Sequence, residues 1–303
     1  MTKKDYQSFL YHKPKVQGFF DENTNTISYV VADEETKRCA IVDSVMDYEP
    51  SSATISFESA DSIILFVHEH NYKVEWILET HVHADHLSAA PYLKERLGGK
   101  IAIGEHIIEV QKLFGKVFNE GTEFMQDGSQ FDRLWKDGDS FMLGSIPARV
   151  LYTPGHTPAD MSYIIGDAVF SGDTLFMPDY GTARVDFPGG DALSMYNSAQ
   201  KLFALPEEMR MFMCHDYLPQ GRTEYKWETT IGEQRRKNIQ LNAETDSADF
   251  ARMRKERDTI LGMPKLIIPS IQVNMRAGNI PQHKGRQELK VPVNSLFSKK
   301  SSQ

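Results

Sequence analysis

Three histidines and an aspartate fall within six consecutive positions, His81, His83, Asp85 and His86 in the stretch ETHVHADHLSAAP. The segment before them, VEWILET, reads as a strand, and SAAPYLKERLG after them reads as a helix that stops at its glycines. A cluster of this kind at a strand end restricts the fold strongly, because any further partners must be brought to the same point by the ends of other strands. The sequence supplies them. His156 in TPGHTPAD follows the predicted strand ARVLYTP, Asp173 closes AVFSGD, and His215 closes MRMFMCHDY. Five of the ten histidines therefore lie in three patches at strand ends. Neutral imidazole nitrogens and carboxylate oxygens are the ligand set for zinc, iron or manganese. In H-x-H-x-D-H the first two histidines can point the same way from extended chain, and the last two residues bend round as a helix begins. Gly155 and Gly172, beside His156 and Asp173, allow the sharp backbone turns such convergence needs.

The remaining pattern places this cluster in an α/β chain. ISYVVADEETKRCAIVDSV reads as two strands around a polar turn, with Val30, Val31, Ile41 and Val42 as core candidates. DSIILFVHEHNY and DALSMYNSAQKLFALP read as helices, KIAIGE and MSYIIGD as strands, and MRMFMCHDY as the final strand. Residues 114–138 are aromatic and loop-like, which suggests a flap over a site. Beyond 222 the chain turns polar and helical before a tail, PSIQVNMRAGNIP. Two units are expected: a catalytic domain over 1–220, and a helical extension over 221–303 that packs on it. A net charge of −8 argues against nucleic-acid or anionic-membrane partners, and no apolar run is long enough to span a membrane. Two cysteines, Cys39 and Cys214, fit a reducing compartment, and MTKKDYQSFLYHKPK lacks the features of a leader. A cytoplasmic location is the expectation.

HVHADH, GHT, SGDTLF and CHDY, in this order and spacing, resemble the metallo-β-lactamase superfamily over about residues 15–220. The resemblance implies a four-layer αββα sandwich. Within the superfamily the likeness is to the persulfide dioxygenases, sulfur-oxidising relatives of glyoxalase II. It is carried by Ala84 before the aspartate, GTARVDFPGGDA after Asp173, the HDY strand end and the late NMRAG. The superfamily site implies one metal at His81, His83 and His156, and another at Asp85, His86 and His215, with Asp173 bridging. Such a pair clamps a hydroxide and suits hydrolysis of thioesters or lactones, with one or two Zn(II) per chain. The persulfide dioxygenase likeness implies instead one Fe(II) per chain, held by His81, His156 and Asp173. That set leaves open positions for a thiolate and O2. Asp85, His86 and His215 would then orient ligands or carry protons, and His83 would join them. All of these residues are present, so counting ligands does not choose. The activity implied by the branch is oxidation of glutathione persulfide, or a related small persulfide, by O2 to sulfite and thiol.

Arg184 could fork onto a substrate carboxylate or bond to Asp186. Tyr217, two residues past His215, is expected to face the metal pocket as a catalytic or substrate-binding group, and Arg276 in NMRAG is a further substrate candidate. Cys214 reads as a small buried strand residue, and QRRK at 234–237 as a solvated helix face. The polar C-terminal helices and the superfamily's habit of pairing suggest a homodimer.

Overall fold

The computed structural model describes residues 3–293; the terminal KKSSQ, read from composition as frayed, lies outside them. A 3-10 segment, Lys3–Tyr11, leads into strands β1 (Lys15–Asp21), β2 (Thr26–Asp33), β3 (Arg38–Val42), β4 (Val45–Glu49) and β5 (Thr54–Ser56). Helix α1 (Glu58–Glu69), β6 (Lys73–Leu78), β7 (Leu87–Ser88), α2 (Ala90–Leu97), β8 (Lys100–Gly104), α3 (Ile107–Val117) and β9 (Arg133–Trp135) complete the first half. The second half holds β10 (Ser140–Leu143), β11 (Ile146–Tyr152), β12 (Met161–Ile165), β13 (Ala168–Phe170), α4 (Ala192–Phe203), β14 (Arg210–Phe212) and β15 (Glu228–Thr230). Helices α5 (Ile231–Lys237), α6 (Ser247–Asp258) and α7 (Ile267–Asn274) follow.

One sheet runs β1-β2-β3-β6-β8-β9 and the other β10-β11-β12-β13-β14-β15. Side-chain alternation along the strands explains why each sheet is covered on both faces. Tyr29, Val31, Ala40 and Val42 point inward and pack on Val150, Tyr163, Ile165 and Phe170 of the facing sheet. Their neighbours Val30, Ala32, Cys39 and Ile41 point outward into a second core with α1, α2, α3 and α7. A third core packs the far face of the second sheet against α4, α5 and α6. The product is a four-layer αββα sandwich. Fully burying a Val, Leu or Ile contributes about 1.5–3 kcal/mol, so these three cores dominate over any surface pair. Helix starts are fixed locally: the Asp191 carboxylate caps α4 through Ser194 N, and Asp246 caps α6 through Ala248 N and Asp249 N.

Three expectations are corrected. MRMFMCHDY is not the last strand, since β15 adds antiparallel to β14. The start of the tail, PSIQVN, belongs to helix α7, with Ile271 and Val273 buried in the outer core and Met275 just beyond it buried there too. The stretch 114–138 is not a flap over a site: it contains the end of α3 and all of β9, and none of its residues lines the large cavity described below. Its aromatics Phe114, Phe118 and Phe131 belong to the outer core, while Trp135 packs between the sheets. Gly115 lies inside α3, where a Cβ would come within 2.6 Å of the Gln126 amide.

This correction also relocates Arg276. Its guanidinium lies 4.1 Å over the Phe124 ring, 2.8 Å from Glu120 and 2.7 Å from the Gln272 carbonyl, away from the cavity. Removing one partner of a buried pair leaves an uncompensated charge. Glu120→Gln should therefore cost about 3 kcal/mol of unfolding free energy in a urea titration, with bound metal unchanged. A loss of metal content in the folded variant would show that Arg276 belongs to the site after all.

Candidate metal centre

The ligand-type residues sit on loops at one edge of the sandwich. The loop after β6 carries His81 to His86, the β11–β12 loop carries His156, the turn after β13 carries Asp173, and the end of β14 carries His215. The two sheets are joined at this edge: Ile27 N donates to Cys214 O at 2.7 Å, and Thr26 and His215 form an isolated bridge. Gly172 has φ +52, in the left-handed region, and a Cβ there would meet Thr80 Oγ1 at 2.6 Å. It is glycine because Asp173 must approach His81 closely.

Hydrogen bonds fix each ring. The Thr80 hydroxyl donates to Asp43 at 2.9 Å and so accepts from His81 Nδ1 at 3.0 Å, leaving His81 Nε2 as a lone pair. His156 Nδ1 donates to the Arg184 carbonyl at 2.7 Å, and His215 Nδ1 donates to the Asn25 carbonyl at 3.2 Å. A carbonyl can only accept, so the Nε2 atoms of these rings are also free. His156 Nε2 lies 3.6 Å from Asp173 Oδ2, and His215 Nε2 lies 3.4 Å from Asp173 Oδ1 and 3.3 Å from Asp85. Donor atoms of His81, His156 and Asp173 all lie within 4.8 Å of one another, as do those of His83, Asp85 and His86. The buried His81 Nε2, His83 Nδ1, His86 Nε2, His215 Nε2 and Asp173 Oδ1 have no hydrogen-bond partner among the described residues. Leaving that many buried polar atoms unsatisfied costs about 1–3 kcal/mol each, whereas a cation among them satisfies several at once. The residues thus fit a metal. Burial, then the charge on His83, holds His81 and His86 below the ordinary histidine value, which keeps them in the neutral, ligating form.

His83 differs from its neighbours. Its Nε2 lies 3.0 Å from Asp43 and 3.6 Å from Glu79, and its Nδ1 has no hydrogen-bond partner among the described residues. Burial opposes its charge, yet Asp43 overrides this and raises the imidazole to about 9. Burial, together with the charge of Asp43, pushes Glu79 up. Asp43 is held low against its burial by His83 and by bonds from Thr80.

Several groups that position the loops were not found by sequence reasoning. Asp43 ends β3 just as the other residues end their strands, so its place after CAIV was the available signal. Asn274 of α7 donates 2.8 Å bonds to the carbonyls of both His83 and His86 and accepts one from Ser88 N. No local pattern announces a contact made to main-chain atoms 191 and 188 positions away. Of the sequence candidates, Tyr217 stands beside the centre, its ring 5.7 Å from that of His215, and it lines the cavity. Arg184 also lines the cavity, but its side chain already forks onto Asp186 at 2.6 and 2.8 Å and donates to Gly262 O. Of its two expected arrangements, the bond to Asp186 is the one present. Arg276 is not brought to the site. Cys214 is buried, 3.7 Å from Asp43, with burial pushing its thiol well up. The cavity holds about 800 Å³, and Ala84, Asp85, His156 and Asp173 are among the residues that line it.

A family model described as the metallo-beta-lactamase superfamily matches residues 23–215. The chain is 50% identical to a probable metallo-hydrolase of Burkholderia pseudomallei, over 93% of this chain and 99% of that protein. It is 49% identical to a beta-lactamase hydrolase-like protein of Xylella fastidiosa, covering 93% of this chain but only 65% of that protein's length. Human mitochondrial persulfide dioxygenase ETHE1 is 26% identical, over 86% of this chain and 87% of its own. The crystal structure of ETHE1 from Myxococcus xanthus superposes with a TM-score of 0.69 at 28% identity, covering 88% of this chain and all of that one. No described helix is long and apolar enough to cross a membrane.

Two outcomes follow from the site geometry. Gly172→Ala forces a left-handed residue to carry a Cβ against Thr80, at a cost of about 1–3 kcal/mol. Metal content and the melting temperature should both fall, and a variant with parental values of both would refute the close-approach argument. In the metal-free protein, His83 binds its proton up to about pH 9 rather than the ordinary 6.5. That stabilisation is complete below pH 6.5 and is lost as pH rises through 9. Glu79, a carboxyl that stays protonated past its ordinary value, adds a decline of the same sign. Denaturant titrations should show stability falling from pH 6.5 to 9, with His83→Gln flattening much of the slope; a flat parental profile would contradict the assignment.

Proposed function

The chain belongs to the metallo-beta-lactamase superfamily, and from that premise we propose that it is a mononuclear iron(II) dioxygenase that oxidises a low-molecular-weight persulfide, glutathione persulfide or a close relative. The observation that carries this reading is the closed set of His81, His156 and Asp173. It comprises two buried imidazoles whose Nδ1 atoms are held in hydrogen bonds, so that Nε2 is the atom each offers, and one carboxylate, their donor atoms within 4.8 Å of one another. Ferrous iron, if held by His81, His156 and Asp173, would supply one-electron redox chemistry toward a thiolate and O2. The likeness to persulfide dioxygenases in sequence and backbone supports the same reading.

The chain's own residues provide the rest. Phe176, Phe187, Tyr180 and Tyr217 wall the cavity and exclude water around the sulfur. Arg257, Lys265, Asp47 and Glu49 also line it, which suits a carrier bearing both carboxylate and ammonium groups, and about 800 Å³ accommodates a tripeptide-sized molecule. Asp85 reaches the cavity and lies 3.3 Å from His215 Nε2, so this pair can pass protons between the buried imidazoles and the substrate. The net reaction joins the sulfane sulfur, both atoms of O2 and the oxygen of one water into sulfite and releases the thiol.

A second reading is a binuclear hydrolase. It is favoured by the additional grouping of His83, Asp85 and His86, and by the 50% identical relative described as a probable metallo-hydrolase. The two are separated by loading anaerobically purified protein with Fe(II) and adding glutathione persulfide. Oxygen uptake with sulfite formation is expected. His81→Ala and Asp173→Ala should lose bound iron, while His83→Ala should keep most of it. No uptake, two zinc ions per chain and cleavage of S-lactoylglutathione would overturn the dioxygenase in favour of the hydrolase.

A further inference from the structure

One peptide group behind the metal centre is clamped at both ends. The carbonyl of Arg184 accepts from His156 Nδ1 at 2.7 Å, and the N–H of the same peptide, which is Val185 N, donates to Asp258 Oδ2 at 2.9 Å. The peptide is planar and trans, so its N–H and C=O point in opposite directions. Carboxylate, peptide and imidazole therefore form a continuous line that ends at the free His156 Nε2. We propose that Asp258 is a positioning residue for the metal centre, acting through the Arg184–Val185 peptide to orient His156 and strengthen it as a ligand.

The carboxylate is built for this task. Asp258 is buried, and its Oδ1 is taken by Arg254 Nε and Nη2 at 2.9 and 2.6 Å, which leaves Oδ2 to the peptide. Arg254 is buried too and is fixed in turn by the Thr182 carbonyl at 3.2 Å and by Gln240 at 3.0 Å. The Arg184 side chain, tied to Asp186 and to Gly262 O, holds the peptide plane from the other side. A negative charge at the N–H end polarises the peptide and makes its carbonyl a stronger acceptor, because hydrogen bonds in a chain reinforce one another. The His156–carbonyl contact of 2.7 Å is at the short end of the N–H···O range. Pulling on Nδ1–H enriches Nε2, as a carboxylate bonded directly to a ligating histidine does. Here the peptide is interposed between the two. A buried ion pair is weak evidence for stability on its own; the alignment of Oδ2 with this one amide is what stability alone does not require.

The inference rests on His156 holding a metal and not on the reaction which that metal serves, so cobalt(II) alone is a sufficient probe. Its dissociation constant is measured against a competing chelator, and its geometry is followed by visible d–d absorption. Asp258→Asn should weaken cobalt binding about 10–100-fold and shift the d–d bands. Because that change leaves Arg254 buried and unpaired, the double variant Arg254→Met with Asp258→Asn provides a version without the stranded charge. It should show the same loss. Phe250→Leu, a core change on the same helix, should lower the melting temperature yet leave affinity and bands at parental values. A folded Asp258→Asn or double variant with parental affinity and spectrum would overturn the proposal. If His156→Ala also binds cobalt as the parent does, His156 is not a ligand, and the inference falls whatever the oxygen-uptake assay reports.

Discussion

The edge of the sandwich that gathers the histidines is organised around one buried carboxylate, Asp43. Its two oxygens accept from Thr80 N at 2.8 Å, Thr80 Oγ1 at 2.9 Å and His83 Nε2 at 3.0 Å, while its own carbonyl accepts from Ser28. It does this at φ +50, a left-handed conformation that aspartate tolerates better than most side chains. Through Thr80 it determines which nitrogen of His81 is free, and directly it determines which nitrogen of His83 is free. A charge in that position would be prohibitive without these partners. The partners in turn have no reason to converge without the charge. The metal loop is thus shaped before any ion arrives, and a cation's contribution is to satisfy the remaining nitrogens.

The C-terminal helices extend the same logic from outside. Asn274 of α7 bonds to the backs of His83 and His86, and Asp258 of α6 bonds to the back of the peptide behind His156. Two helices that pack on opposite faces of the sandwich therefore meet the two ligand-bearing loops from behind, with side chains that never face the cavity. Loops at strand ends are the mobile part of such folds. Buried polar side chains, already positioned by packed helices, restrict that mobility at little further loss of conformational entropy.

The alternation of strands and helices and the ligand-type residues at the strand ends were legible in the residues themselves, while the αββα layering was implied by the resemblance to the metallo-β-lactamase superfamily. Ligand-type side chains at strand ends leave both a compositional and a positional trace, and Val30, Val31, Ile41 and Val42 carry the alternation that places a sheet between two cores. Groups that act through the main chain left no such trace. Asn274 looked like part of a tail because its role is to meet carbonyls far away in the chain. The 114–138 stretch reads as a flap because it is aromatic and loop-like, yet Phe114, Phe118 and Phe131 belong to an outer core that α7, a segment that reads as a tail, completes. Missing one helix concealed the purpose of another segment.

Arg184 shows how the distinction bears on chemistry. A guanidinium in a glycine-rich loop beside a metal site invites a substrate contact, and fork geometry would suit a carboxylate. In the fold the fork is already filled by Asp186, and a second carboxylate could bind only by displacing a partner held at 2.6 and 2.8 Å. What Arg184 offers the centre is its carbonyl, which fixes the proton on His156 Nδ1. The side chain's pairing serves to keep that carbonyl still. Under the proposed function, recognition of the carrier then falls to other charged groups that line the cavity, Arg257, Lys265, Asp47 and Glu49. Those residues could vary with the proposed carrier without touching the bonds to His156 Nδ1, Val185 N and His83 Nε2, which the Arg184 carbonyl, Asp258 and Asp43 make.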